Sequence, residues 1–268
     1  IHISDFYYWN QSATGGGIED VLIGGLKYSY AFSRKDSLYQ EQAVTRHDVN
    51  VAGFKTNPGG ELEFGVSYLE KPRRTDAHSG WAITAQHVQN AFLGGRNTLA
   101  LQYGEGSGTG LGYTGNTRLD NSSKRYRLVE FFDWQVTPRF GGQVEAVYQK
   151  DVRPQGDNQE WLSLGVRPAY AISQQFKLVT ELGHDQVKAA DGTRTLSKFT
   201  FAPTWSPKGP GFWERPEIRL YYTYARWNKA AQLAANRLDA GSALSDSGAF
   251  GRARHGSNMG LQVEYWWK

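Results

Sequence analysis

Apolar and polar residues alternate with a period of two along most of the chain from residue 18 onward. In the stretch ELEFGVSYLE, Leu62, Phe64, Val66 and Tyr68 fall on one face, and Glu, Gly or Ser occupy the positions between them. Successive side chains of a strand point to opposite sides of a sheet, so this pattern predicts strands with one apolar and one polar face. It recurs in EWLSLGVRPAYAI, RPEIRLYYTYARW and SNMGLQVEYWW.

The alternation predicts about thirteen strands and almost no helix. The clearest helical pattern is NKAAQLAANRLDA at 228–240, inside a long connector. Strands are expected near residues 18–23, 26–33, 43–56, 61–70, 80–91, 97–105, 124–136, 140–150, 160–172, 174–187, 196–206, 215–227 and 257–267.

The connectors between these strands alternate in length. Such alternation predicts an up-and-down antiparallel meander, which is typical of an outer-membrane barrel with tight periplasmic turns and long outer loops. Strands of about ten residues also match the hydrocarbon thickness when they are tilted. The short connectors are 24–25, 57–60, 93–95, 137–139, 173–175 and PKGPGFWERP at 207–216, and the long ones are 34–42, 70–79, 104–123, 151–159, 186–196 and 228–256.

The alternative fold is a soluble β-sandwich or soluble barrel, and three features count against it. The polar face carries charges and glycines that a sandwich core would not tolerate. The connector lengths alternate regularly, and the apolar face ends in an aromatic girdle. The predicted fold class is therefore all-β, an antiparallel transmembrane β-barrel, of which residues 1–268 form a single, partial barrel domain with about thirteen strands. The girdle residues are Tyr68, Tyr148, Tyr222, Tyr224, Tyr265 and Trp267.

Composition narrows the possible functions. The 268 residues include no cysteine, which removes disulfide frameworks, thiolate metal sites and a cysteine nucleophile. The net charge of +4 comes from 30 basic and 26 acidic residues scattered along the chain. We therefore expect no nucleic-acid partner. There is no run of 18 apolar residues that would predict a transmembrane helix.

Signals for catalysis are weak. GLGYTG at 110–115 matches GxGxxG but lacks the strand–helix context of a dinucleotide site. The six histidines are scattered, with no pair at metal-ligand spacing. We predict that the protein is not an enzyme, with no catalytic residue, metal or cofactor. An outer-membrane barrel enzyme stays as a less favoured alternative, since spacing alone does not reveal serine–histidine pairs across strands.

Several motifs, in their order and spacing, resemble the maltoporin family, the sugar-specific outer-membrane porins that include the sucrose porin. The resemblance covers essentially the whole chain. It implies an eighteen-stranded barrel that forms a homotrimer, with a third outer loop folded into the pore. It also implies a C-terminal fragment that lacks the first strands, with residues 1–17 as the remainder of that constriction loop. The motifs are DFYYWN…GGGIED, NPGGELEFGVSY, GW…TAQHVQ, GVRPAY…ELGHDQV, FWERPEIRLYYTYARW and LQVEYWW.

The resemblance gives the opening stretch DFYYWN a role. Asp5 and Tyr7 match the constriction-loop carboxylate and tyrosine. Tyr7 would narrow the pore and contact sugar, and Asp5 would accept hydrogen bonds from sugar hydroxyls. Trp9 would hold the loop against the inner wall. Asn10 stands where maltoporins have a second aspartate, and this departure weakens the expectation of a strict maltodextrin preference.

Two tryptophans match members of the family's aromatic slide. Trp266 shares the polar face with Glu264, and Trp213 lies just before ERPEIR. Because an aromatic ring can stack on the C–H face of a pyranose, we expect Trp213 and Trp266 to bind sugar. Further pore-lining candidates are Trp161, Arg215, Arg219, Tyr221 and Glu264, together with Trp9 and Asn10.

The resulting prediction is a porin of the bacterial outer membrane for facilitated diffusion of maltodextrins or related oligosaccharides. Its expected partners are sugars, outer-membrane lipid and lipopolysaccharide, and two further copies of the chain. A non-selective porin is the main alternative. Tryptophans on the polar face count against it, because an unselective water channel gains nothing from them.

Overall fold

A computed structural model describes residues 14–36, 43–73, 76–154 and 156–266. Its thirteen strands are hydrogen-bonded in chain order from β1 to β13, as an antiparallel sheet. The strands are β1 Thr14–Ile23, β2 Leu26–Asp36, β3 Ala43–Lys55, β4 Gly60–Leu69, β5 Gly80–Phe92, β6 Gly95–Glu105, β7 Lys124–Thr137, β8 Phe140–Val152, β9 Gln159–Ala171, β10 Phe176–Ala189, β11 Gly192–Trp205, β12 Glu217–Trp227 and β13 His255–Glu264.

The thirteen strands and the helix predicted from the sequence are confirmed. Helix α1 spans Lys229–Leu238 within the predicted range. It begins there because the side-chain oxygen of Asn228 accepts a hydrogen bond from the backbone N–H of Ala231 at 2.9 Å, which caps the first turn. Within the described residues, no helix is both long and apolar enough to cross a membrane.

Two connectors differ from their predicted lengths. The predicted long connector 186–196 is wrong, because β10 and β11 continue to a tight turn with Ala189 paired to Gly192. Polar residues on both faces hide the alternation there, while Asp191-Gly192 is a hairpin signal. The connection between β11 and β12 is not short, since it spans residues 206–216. Residues 14–17 begin β1, and residues 1–13 of the predicted constriction loop lie outside the described residues.

The chain divides into two compact units. The first comprises Ile1–Asn90, Asn97–Glu130 and Val147–Glu160, and the second comprises Ala91–Arg96, Phe131–Ala146 and Trp161–Lys268. In the first unit, the polar face of β3 and β4 is buried and internally bonded. Its buried Arg46 donates from Nε to Asp48 Oδ1 at 2.9 Å, and Ser67 donates from Oγ to the same oxygen at 2.6 Å.

In the second unit too, charged residues on the polar face are buried, and residues on the apolar face are exposed. Lys177 and Glu217 on the polar face are each 2% exposed, whereas Leu220 and Met259 on the apolar face are 61% and 83% exposed. A water-soluble sandwich would bury the apolar face and expose the charges. The exposed apolar face of these strands is therefore suited to a hydrocarbon environment.

Helix α1 is attached to the turn between β10 and β11 by a carboxylate. Asp191 accepts hydrogen bonds from Arg194 Nη2 at 2.8 and 2.9 Å and forms an ion pair with Arg237 of α1. These hydrogen bonds from Arg194 and Arg237 lower the pKa of Asp191 to about 2. The charged form of Asp191 thus favours the docked position of the helix.

The Asp191 contact predicts an acid-labile attachment of α1. A depressed pKa adds stability above the ordinary aspartate value, and that contribution is lost as pH falls toward 2. We expect Asp191→Asn to loosen α1 at neutral pH and to flatten the pH dependence between about 4 and 2. Hydrogen exchange of the α1 amides across this range is the measurement. Equal pH profiles for the two proteins would contradict the assignment.

Candidate functional site

The connection 206–216 is fixed to the polar face of the second unit. Phe212 is buried in a cluster with Ala169, Val179 and Ala202. Its backbone N–H donates to Oε1 of Gln135 on β7 at 2.9 Å. An apolar side chain and a backbone hydrogen bond therefore set the position of the next residue, Trp213.

Neighbouring residues hold the Trp213 indole ring at one edge, and the rest of the side chain is open to solvent. Its ring lies edge-on to Phe212, with the centroids 5.0 Å apart and an interplanar angle of 88°. Its Nε1 donates to Asp133 Oδ2 at 3.3 Å. The residue remains 49% exposed. A ligand can therefore reach an indole ring whose orientation is already set.

Five charged residues form a cluster beside this connection, which we call the β12 ion cluster: Lys177, Arg215, Glu217, Arg219 and Glu264. Lys177 pairs with Glu217 and donates to the carbonyl oxygen of Gly211 at 2.6 Å. Arg215 Nη1 lies 3.3 Å from Glu217 Oε1, and Arg219 Nη2 lies 2.9 Å from Glu217 Oε2.

Glu264 completes the β12 ion cluster from the neighbouring strand β13. Its Oε2 lies 3.1 Å from Arg215 Nε and also pairs with Arg219. The contacts join three cations to two carboxylates, so every charge has an opposite partner and one positive charge is in excess. Charged groups buried on a polar face are tolerable only with such pairing.

Trp266 adjoins the β12 ion cluster. The guanidinium carbon of Arg215 lies 5.3 Å from the centroid of the Trp266 ring. This is within the range of a cation–π interaction. The residue is 52% exposed, so part of its surface is open. Arg215 therefore joins the aromatic side chain to the ionic cluster.

Tyr221 forms part of the wall between these groups. It packs against the cluster around Phe212 and lies opposite Gly260 of β13. A Cβ at position 260 would be 2.7 Å from the Tyr221 hydroxyl oxygen. Glycine at this position therefore leaves room for the tyrosine to lie across the neighbouring strand.

A second ion cluster lies on β9, β10 and β11. Glu181 accepts from Arg167 Nη2 at 2.6 Å, and its other carboxylate oxygen lies 2.6 Å from Lys198 Nζ. A recess of about 420 Å³ extends from this cluster to the β12 ion cluster. Its lining includes Arg167, Glu181, Lys198, Arg219, Tyr221 and Gln262.

The structure brings some of the predicted site residues together and not others. Contacts join Trp266, Arg215, Arg219 and Glu264, while Trp213 lies in the same connection as Arg215. Trp161 is directed instead to Asp185, donating from Nε1 to Oδ1 at 3.2 Å. The predicted sites Asp5, Tyr7, Trp9 and Asn10 lie outside the described residues.

Sequence reasoning missed the residues that hold the predicted ones in place. Lys177 and Glu217 fall on the polar face by alternation, but only the fold shows that they meet beneath Gly211. Asp133 and Gln135 contact the connection from 80 and 77 positions away in the chain. No local spacing could have revealed these contacts.

The antiparallel meander, with one exposed apolar face and with buried, paired charges on the other face, is typical of outer-membrane β-strand channels. A sequence model of the LamB porin family matches residues 1–267, and the chain belongs to that family. The suspected maltoporin resemblance is therefore confirmed. The family consists of outer-membrane sugar porins, which are channels and not enzymes.

The β12 ion cluster predicts a large stability effect at one carboxylate. Glu217→Gln removes the acid shared by three buried cations, so we expect the free energy of unfolding to fall by about 3 kcal/mol. Asp20→Asn breaks an exposed pair with Lys27 and should cost less than about 1 kcal/mol. Urea unfolding in detergent micelles gives both values, and similar losses in the two variants would refute the buried-pair argument.

Proposed function

We propose that this porin is sugar-specific and supports facilitated diffusion of maltodextrins or related oligosaccharides along an aromatic slide and a polar track. The observation that carries the proposal is the pair of half-exposed tryptophans, Trp213 and Trp266, beside the paired charges of the β12 ion cluster. Trp213 contacts Phe212 and Trp266 contacts Arg215, yet about half of each residue stays exposed, which leaves ring surface for a ligand.

The two rings suit the apolar face of a pyranose. Stacking of this kind contributes on the order of 1 kcal/mol per contact, by analogy with aromatic pairs. Arg215 approaches the Trp266 ring, yet about half of the residue stays exposed. A sugar can therefore stack without displacing the cation.

The neighbouring ions suit the hydroxyl rim of the sugar. Arg219, Glu264 and Asp133 present charged groups that form strong hydrogen bonds with hydroxyls. Arg219 and Glu264 pair with each other, and Asp133 accepts a hydrogen bond from Trp213, so these groups are held in place before a ligand arrives. Several modest sites in a row serve transport better than one tight site, because each must release the sugar.

The remaining roles extend the proposal by family likeness. Tyr7 and Asp5 would narrow the pore and contact the sugar, with Trp9 and Asn10 beside them. Trp161 and Tyr221 would line the pore more weakly, since each is already engaged by neighbouring residues. The functional assembly would be a homotrimer in the bacterial outer membrane.

Sugar block of ion conductance across a planar bilayer tests the proposal. With maltotriose and then sucrose added to the refolded protein, we expect saturable block of the open channel. Trp266→Ala should weaken maltotriose block about three- to tenfold, which corresponds to loss of one stacking contact of about 0.7–1.4 kcal/mol.

The control for this experiment is Trp205→Ala. Trp205 is an exposed tryptophan on the apolar face, so its removal should leave the block constant unchanged. Stable conductance without block by either sugar would reject the sugar-specific function and favour a non-selective porin. Equal weakening by both variants would reject the role of Trp266.

A further inference from the structure

The apolar face of the second unit contains a cleft that sugar transport does not use. Its volume is about 640 Å³, and it extends from β8 to β12. The outward side chains that line it are mainly apolar: Leu164, Val166, Leu182, Phe199 and Tyr224. The cleft lies on the face that the alternation assigns to hydrocarbon, so an apolar chain is the occupant that its surface fits.

One edge of this cleft is polar and basic. His184, Ser197 and Arg226 line the cleft and face one another across adjacent strands. Arg226 in turn lies opposite His255. We call these four residues the basic row. It lies one outward position beyond the apolar residues, toward the end of β12 that leads into the long connection 228–254.

The two histidines and the serine of the basic row contact neighbouring side chains, whereas the Arg226 guanidinium stays available for a ligand. His184 Nδ1 and Ser197 Oγ are hydrogen-bonded at 2.8 Å, which fixes the imidazole over the cleft edge. The His255 ring stacks on Tyr224, with centroids 6.0 Å apart. Arg226 is exposed and forms no ion pair with any residue in the described ranges.

Within strands β10 to β13, no acidic side chain lies on this outward face. Outside those strands, Glu145 of β8 is among the residues lining the cleft, and Glu160 of β9 pairs with Lys150. The carboxylates of strands β10 to β13 are Glu181, Asp185, Glu217 and Glu264, all in register with the polar face. The outward positions hold two formal cations, Lys188 and Arg226. An anion beside the basic row would therefore be attracted by Arg226 and would meet no outward carboxylate on β10 to β13.

We propose that the cleft and the basic row form a binding site for a lipid with a phosphorylated sugar headgroup, of the lipopolysaccharide class. An acyl chain lies against Leu182 and Phe199, and a phosphate contacts Arg226 and His184. Long connections of outer-membrane barrels face the cell exterior, so the row lies at the outer leaflet. The proposal rests on family membership and does not depend on which sugar passes the channel.

The test is lipid binding to the folded protein in detergent, measured by native mass spectrometry. The probes are bis-phosphorylated lipid A, the same lipid without phosphates, and inorganic phosphate. We expect the phosphorylated lipid to bind most tightly and inorganic phosphate alone not to compete. Arg226→Gln should weaken its binding about fivefold, the factor that corresponds to one cation near a charged membrane surface.

Two further variants separate the parts of the site. Leu182→Ser should weaken both lipid forms, because it removes apolar surface from the cleft without changing charge. Lys150→Gln is the matched control, since Lys150 is an outward cation whose Nζ already lies 3.9 Å from Glu160. Its removal should leave lipid A binding within twofold of the parent protein.

Three outcomes would overturn the proposal. Equal affinity for lipid A with and without phosphates would reject the phosphate contact. Unchanged binding in Arg226→Gln would reject the basic row. A change in the ratio of monomer to oligomer in Arg226→Gln, with no lipid added, would mean that a second copy of the chain covers this face.

Discussion

The requirement that every strand amide and carbonyl find a partner in a neighbouring strand controls this structure. Hydrocarbon offers no water to replace a missing hydrogen bond, so consecutive strands must pair along their length. Pairing in chain order fixes the two faces, because side chains alternate with a period of two. A slip of one residue in β12 would move Glu217 to the lipid side and Leu220 among the ions. The ladder and the charge pattern thus specify the same register.

The polar face depends on this register for its charges. Glu217, buried at the start of β12, meets Lys177 from β10 and Arg219 from its own strand. Glu264 reaches the same group from β13, where it pairs directly opposite Glu217 in the ladder. Two carboxylates facing each other would repel, and the cations between them convert this repulsion into an ordered array.

Period-two alternation was sufficient to predict thirteen strands, the antiparallel order and the face of Trp266. It failed where polar residues occupy both faces, as near Lys188, and where a connection folds onto the sheet, as at Phe212. The sequence could assign Arg215 and Glu264 to one face but could not show that they meet. No sequence motif identifies Lys177 or Gln135 as a site residue. Both contact backbone atoms of the connection 206–216, which is distant from them in the chain.

The attachment of the connection 206–216 also has an entropic consequence. Lys177 holds Gly211 from β10, Gln135 holds Phe212 from β7, and Asp133 holds the Trp213 nitrogen. The loss of rotational freedom of this indole therefore occurs during folding. A flat molecule that arrives at Trp213 loses only its own freedom, so brief contacts can form and break rapidly without rearrangement of the protein.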